Sequence, residues 1–345
     1  MKIGVLTGGG DVPGLNAAIR AVSKRSFGLG WDVIGIKNGW KGLLELNAEP
    51  LTQASVSGIL HVGGTILGSS RTNPSKMADG IPRCLDAMDK LGLDAVVAIG
   101  GDDTLSVALR LFEAGGHTVG IPKTMDNDVA ETDYCIGFDT AVTTVTDALD
   151  KLHTTASAHH RVLVVEVMGR DAGWVAVVGG LAGGADYIFT PEEPGSISDV
   201  CKHLQRRRAL GKSFSIIVVA EGAKIDEIVE DDKSVDVSGK DSFGHVRLDL
   251  RGVGETVARE IERRTGFETR SVVLGHLQRG GSPTVFDRVL ATRLGVFAAE
   301  LVRDSKFGYM AALQGNRIVA VPLKDAVAYN RKAPPDLLQL AKTFF

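Results

Sequence analysis

Cysteine is scarce in this chain. Only Cys84, Cys135 and Cys201 occur in 345 residues, and no two of them form a C-x-x-C pair. That usage indicates neither a disulfide framework nor a thiolate zinc site, and it fits a reduced, cytoplasmic setting. Long apolar runs are missing too: none approaches the roughly 20 residues a membrane span needs. The opening stretch, MKIGVLTGGGDVPG, has one lysine and a short apolar run that stops at glycines. It reads as a buried strand rather than a signal peptide. Neither sign of charge dominates, and the formal net charge is −3. A general electrostatic drive toward nucleic acid or a membrane surface is therefore not indicated. The first glycine loop also lacks two familiar phosphate signatures. It is neither G-x-G-x-x-G nor G-x-x-x-x-G-K-S/T, and no acidic residue ends the second strand, which weakens a dinucleotide reading.

What is there is an ordinary globular balance, 44% hydrophobic and 23% charged residues, in a chain long enough for two domains or one large one. Glycine is abundant, 42 residues, and clustered in TGGGD, HVGGTILGSS, IGGDD, VVGGLAGG and QRGGSP. Clustering without a period argues against collagen or linker sequence. Any single cluster could be a tight turn. Five, read as lying at strand ends, suggest loops built around a ligand, because glycine lets backbone approach it closely.

Short Val/Ile runs alternate with helical patterns. Strands are expected at Ile3–Leu6, Asp32–Ile36, Ala95–Ile99, Thr118–Ile121, Arg161–Val167, Tyr187–Phe189, Phe214–Ala220 and Ser271–Leu274. Helices are expected at Leu15–Phe27, Ile81–Leu91, Thr104–Ala114, Thr140–Ala158, Gly173–Ala182, Ile197–Leu210, Val253–Thr265 and Asp287–Asp304. Continuous apolar strands are buried on both faces, so the expected fold class is α/β, a mostly parallel sheet covered by helices. The pattern repeats in two halves divided near Thr140. Ligands in such sheets sit beyond the strands' carboxyl ends, and a cleft between the halves is the natural site. The polar stretch Ala223–Arg251 reads as a surface excursion or hairpin without obvious chemistry.

Six segments carry candidate chemistry. Thr7-Gly8-Gly9-Gly10-Asp11 opens a helix, where backbone N–H groups favour an anion; a plain tight turn is the alternative. In Gly100-Gly101-Asp102-Asp103-Thr104, an aspartate can hold Mg²⁺ while the glycine backbone holds phosphate, and a helix N-cap is a compatible second use. In Pro122-Lys123-Thr124-Met125-Asp126-Asn127-Asp128, Lys123 can neutralise a transferring phosphate and Asp126 can take a proton from an attacking hydroxyl, unless the loop is merely solvated. Met168–Trp174, Glu221-Gly222 and Gly275–Pro283 follow the later strands. Arg71, Arg161, Arg170, Arg270 and Arg279 lie in or beside these segments. Each could be a surface ion pair, but five around glycine loops favour a substrate bearing its own phosphate.

Together, GVLTGGGDVPGLNAAIR, GGTILGSSR, IGGDDTL, GIPKTMDNDV, GFDTAV, VEVMGRDAGW, AEG and GHLQRGGSPTVFDR resemble the phosphofructokinase family, in family order from Gly4 to Arg288. The resemblance implies two Rossmann-like three-layer α/β/α domains. The larger, 1–138 with about 276–325, would bind the phosphoryl donor. The smaller, 139–275 with a tail at about 326–345, would bind fructose 6-phosphate. It implies Asp126 as general base toward the 1-hydroxyl, Asp128 as its partner and Asp102 as the Mg²⁺-associated residue. Gly10 and Gly101 fall in the donor loops, and Arg71 lies near the transferring phosphate. Thr124, Met168, Gly169, Arg170, Glu221, His276 and Arg279 resemble sugar-phosphate contacts. Arg161 and Arg270 resemble two arginines lent by a neighbouring subunit, which implies a homodimer or homotetramer.

In this family, ATP-using members usually carry glycine where this chain has Asp103 and Lys123; members using diphosphate carry Asp and Lys. An aspartate fills the space of the α-phosphate and ribose and opposes the α-phosphate charge. A lysine narrows the nucleotide channel and supplies charge to a small donor. The expected reaction is reversible transfer from diphosphate to fructose 6-phosphate, giving fructose 1,6-bisphosphate and phosphate in glycolysis or gluconeogenesis. ATP is the alternative donor, since Lys123 also occurs in some ATP-using relatives. Gly58 stands where a basic effector site would have an acidic side chain, so weak or absent allosteric control is expected despite Arg20 and Lys24.

Overall fold

In a computed structural model, residues 1–229 and 252–345 are described. The chain divides into two compact units, 1–140 with 279–331 and 141–278 with 332–345. Strands run β1 (Lys2–Thr7), β2 (Asp32–Ile36), β3 (Ala48–Leu51), β4 (Ala95–Gly100), β5 (Thr118–Pro122), β6 (Val162–Val167), β7 (Tyr187–Phe189), β8 (Ser215–Ala220), β9 (Thr269–Val273), β10 (Tyr309–Gln314) and β11 (Arg317–Pro322). Helices run α1 (Leu15–Gly28), α2 (Gly39–Leu44), α3 (Gly80–Leu91), α4 (Asp102–Glu113), α5 (Phe138–His159), α6 (Trp174–Ala182), α7 (Ile197–Ala209), α8 (Asp226–Val229), α9 (Val253–Thr265), α10 (Val285–Arg303), α11 (Leu323–Ala326) and α12 (Pro335–Lys342).

The first unit holds a seven-stranded sheet, β11-β10-β5-β4-β1-β2-β3 among the described residues. Its centre is parallel: Thr7 pairs with Ile99, and Gly100 with Pro122. These strands are apolar and buried throughout β4 and β5, as expected of a sheet covered on both faces. The carboxyl ends of β1, β4 and β5 therefore lie side by side. The second unit holds the sheet β7-β8-β6-β9, all parallel. Val167 of β6 pairs with Ala220 of β8, and Glu166 pairs with Val273 of β9.

Several elements depart from the sequence expectation. The antiparallel pairings of β3 with β2 and of β10 with β11 have no counterpart in it. Ala48-Glu49-Pro50-Leu51 is a short edge strand whose proline and exposed glutamate hide any strand pattern. Strand β9 lies two residues earlier at its start than Ser271, because Thr269 and Arg270 pair with Val162 and Leu163. Helix α4 begins at Asp102 rather than Thr104. The glycines of VVGGLAGG do not line a strand end. Gly179 and Gly180 lie inside α6, where a Cβ would meet Val145 or Ile188 within 2.7 Å. The stretch from Ala223 is not a surface excursion at its start: Ala223 and Ile225 are buried. The Glu227 carboxylate accepts N–H bonds from Ile197 and Ser198 at 3.0 and 3.2 Å, serving the start of α7. The rest of it, residues 230–251, lies outside the described residues.

Candidate active site

Three loops meet at the carboxyl ends of β1, β4 and β5. The first is Gly8–Asp11. Its glycines follow from close packing: a Cβ on Gly8 or on Gly100 would fall 2.5 Å from the Thr104 hydroxyl. Thr104, buried in the first turn of α4, wedges both loops apart. The neighbouring Ser69 and Ser70 hold Gly9 through its carbonyl (2.5 Å) and N–H (3.2 Å). Arg71 follows them and is exposed.

The second loop ends in Gly101, which takes the N-cap position of α4 in an extended conformation without a side-chain cap. Asp102 and Asp103 are the first two residues of the helix, both half-buried. The N-cap use of Asp102 is thereby replaced. Both carboxylates stand in the first turn, where the helix dipole favours negative charge and eases their mutual repulsion.

The third loop begins with Lys123, only 2% exposed. Its ammonium donates to the carbonyls of Gly8 (2.9 Å) and Gly10 (2.5 Å). Burial, with the nearby Arg279 guanidinium, lowers its pKa to about 8, against the opposing pull of Asp11 and Asp126. Arg279 itself stands on this side. It donates to the Asp11 carbonyl at 3.3 Å, and its guanidinium fills the space a Gly10 side chain would need. Asp126 and Asp128 are half-buried and flank Asn127, which is 1% exposed with φ of 50°. Asparagine tolerates that left-handed backbone. The Asn127 amide donates to the Asp133 carbonyl (3.1 Å) and accepts from the Cys135 N–H (2.8 Å). The Thr124 hydroxyl accepts from the Asp126 N–H at 3.1 Å. Arg331 adds a backbone bond to Asp128 at 2.7 Å. The two aspartates are thus carried on a loop nailed at both ends.

In the second unit, Met168, Gly169 and Arg170 follow β6, Glu221 follows β8 and His276 follows β9, so one sheet end collects them. Gln278, fully buried, accepts from the Met168 N–H at 3.4 Å and donates to the Gly275 carbonyl at 3.1 Å. The Gly222 N–H donates to the Gly169 carbonyl at 3.1 Å. Of the three candidate arginines in this unit, two are not at this end. Arg161 precedes β6, and Arg270 lies near the start of β9 opposite Leu163. Both are ion-paired to Glu268, at 2.7 and 2.9 Å. Six residues of β6 at about 3.3 Å each put them about 20 Å from the Met168 end. Strand-end position alone does not say which end, so the grouping of all five arginines around glycine loops does not extend to these two.

Sequence reasoning left Thr104, Asn127, Gln278 and Arg331 without roles. Asn127 sits between two candidate aspartates and Gln278 beside Arg279, so adjacency was the available signal. Nothing local marked Arg331. Among the described residues, no group of three or more His, Cys, Asp or Glu side chains is arranged to hold a metal ion. No helix among them is long and apolar enough to cross a membrane.

The family model described as Phosphofructokinase matches residues 2–302. This chain belongs to the phosphofructokinase family. Among its relatives, the pyrophosphate–fructose 6-phosphate 1-phosphotransferase of Amycolatopsis mediterranei is 52% identical, covering all of both chains. The ATP-dependent 6-phosphofructokinase 3 of Streptomyces coelicolor is 50% identical over 97% of each. Among solved structures, the phosphofructokinase of Pichia pastoris in the T-state superposes with a TM-score of 0.82 at 31% identity. It covers 99% of this chain, which spans 36% of the Pichia one. This member of the phosphofructokinase family therefore has the family's α/β fold, with mostly parallel sheets.

Proposed function

We propose that the chain is a pyrophosphate-dependent 6-phosphofructokinase. It transfers a phosphoryl group from diphosphate to the 1-hydroxyl of fructose 6-phosphate, reversibly. Overall likeness favours diphosphate by a narrow margin, with relatives at 52% and 50% identity named for diphosphate and for ATP. The observation that carries the choice is Asp103 in the first turn of α4 together with the buried ammonium of Lys123 under the first loop. A half-buried carboxylate leaves neither room nor favourable charge for an α-phosphate, whereas Lys123 supplies compact positive charge to a short donor.

Asp126 accepts the proton of the 1-hydroxyl as that oxygen attacks phosphorus; the P–O–P bridge breaks, and the leaving phosphate keeps the bond's electrons. Asp128 is the partner of Asp126 in the same loop. The Gly10 and Gly101 loops align the donor, and Arg71 and Lys123 offset charge on the transferring group. Thr124, Met168, Gly169, Arg170, Glu221, His276 and Arg279 contact the sugar phosphate. Arg161 and Arg270, about 20 Å from the Met168 end of their own unit, serve the 6-phosphate of a neighbouring subunit, which makes the enzyme a homodimer or homotetramer.

Asp102, half-buried at the head of α4, fits Mg²⁺, which binds through one or two carboxylates and substrate oxygens. When bound, Mg²⁺ supplies positive charge that stabilises the transferring phosphate. Three buried free cysteines agree with work in the reducing cytoplasm. A coupled assay of the purified chain with each donor tests the reading. Turnover with diphosphate and little with ATP is expected; robust ATP turnover with none from diphosphate would overturn it.

A further inference from the structure

The segment Met168–Gly173, between β6 and α6, has its backbone tied at several points. Gln278 and Gly222 hold its start, as described above. Farther on, the Lys332 ammonium donates to the Asp171 carbonyl. At its end, the Gly173 N–H donates to the Glu192 carboxylate at 2.7 Å. Glu192 comes from the turn after β7. The same oxygen, Oε1, also accepts the Ala333 N–H at 2.9 Å. Its other oxygen, Oε2, is buried and makes no hydrogen bond among the described residues.

That arrangement is costly for mere helix capping. Helix α6 has Gly173 at its N-cap and no side-chain cap. A capping side chain at that position has no room, since a Cβ there would lie 2.5 Å from Glu192 Oε2 and 2.8 Å from the Thr190 Cβ. The chain instead brings in a carboxylate from nineteen residues away and leaves one oxygen buried and unmatched. A local cap could not do the second thing Glu192 does. It joins the end of the 168–173 segment and the chain returning at Ala333 to a single oxygen atom. Lys332, next to Ala333, grips the same segment two residues earlier, so the two contacts fix both its position and its direction.

We propose that Glu192 is a positioning residue for the sugar-phosphate segment. It touches no substrate. It acts through Gly173, holding Met168, Gly169 and Arg170 in the orientation that receives the sugar phosphate. The inference rests on the reading of those three residues as sugar-phosphate contacts. The donor loops of the first unit do not depend on it, so its loss affects one substrate and not the other.

The test is steady-state kinetics of the full-length enzyme with E192A and E192Q, varying fructose 6-phosphate and diphosphate separately, with Tm measured alongside. Wild-type enzyme comes first: no turnover of fructose 6-phosphate with either donor would sink the functional reading itself. With an active wild type, E192A is expected to raise KM for fructose 6-phosphate about tenfold, since small misplacements of positioned groups are expensive. KM for diphosphate stays within about twofold, because no donor loop is touched. E192Q keeps an acceptor oxygen and the side-chain shape, so it recovers most of the loss and leaves about a threefold residue. Equal changes in both KM values, or a lower Tm with neither KM altered, make Glu192 a structural cap only and overturn the proposal. Should E192A give no folded protein, E192Q decides alone. A selective rise in KM for the sugar phosphate supports the role, and an unchanged value rejects it.

Discussion

The loop after β5 in the first unit and the loop after β6 in the second both leave the carboxyl end of a central parallel strand. The first is fixed mostly by buried side chains within a few residues of the candidate chemistry, Lys123 on the Gly8 and Gly10 carbonyls and Asn127 on Asp133 and Cys135, with one distant backbone bond from Arg331 to Asp128. The second is fixed by groups from far along the chain, Gln278, Glu192 and Lys332. Positive charge is distributed differently as well. In the first unit a buried ammonium lies directly beneath the loop. In the second, Arg161 and Arg270 are at the opposite end of the sheet, paired to Glu268. The first unit carries its own cations to its loops. The second, on the proposed reading, draws two of them from another copy.

The largest expected effect breaks the first unit alone. Replacing Asp126 by Asn removes the general base and should lower kcat by about 10²–10⁴. KM for fructose 6-phosphate should change little, so a near-wild-type rate contradicts the assignment. The next tests the second unit's need for a partner. Arg161→Ala should raise KM for fructose 6-phosphate, because a charge-assisted phosphate contact is worth about 1.5–3 kcal/mol. Mixed oligomers of D126N and R161A chains should recover, at low fructose 6-phosphate, activity well above that of either alone, since one site in the mixture then combines an intact Asp126 with a lent Arg161. Absence of recovery in verified mixed oligomers rules out lending.

A smaller effect is a pH dependence confined to the donor side. Lys123 has its folded pKa pushed down to about 8. The ammonium is therefore charged below about pH 8 and loses its charge above it. KM for diphosphate should rise through that pH while KM for fructose 6-phosphate does not follow. Stability moves the other way. Between about 8 and the unfolded value of about 10.4, the unfolded chain binds the extra proton, so this group's contribution to unfolding free energy increases with pH. Lys123→Met should remove both trends. A KM for diphosphate that keeps the same alkaline limb in that variant assigns it elsewhere.

The two units were not equally legible. Central strands were readable because a short Val/Ile run fits little besides a buried strand: β4 and β5 each end within one residue of where the sequence puts them. The donor loops were readable on similar grounds, since glycine followed by Asp or Lys at a strand end limits the chemistry. Edge strands β3 and β11 were not, because half-exposed, polar or proline-bearing strands lack that pattern. The polarity of Arg161 and Arg270 was hidden because a residue beside a strand carries no mark of which end it occupies until the register is fixed. Glu192 was hidden for a different reason. Its partners, Gly173 and Ala333, lie 19 and 141 residues away, and no local pattern encodes such a contact.

The choice of donor turns on Asp103. It adjoins Asp102 at the head of α4, and the proposed function makes one a magnesium partner and the other a barrier to nucleotide. The decisive measurement is kcat/KM for diphosphate and for ATP, in wild type and in Asp103→Gly, in both reaction directions. A strong wild-type preference for diphosphate is expected. D103G should gain ATP activity while losing efficiency with diphosphate. An ATP activity unchanged by that substitution, or a wild type that prefers ATP, would contradict the assignment.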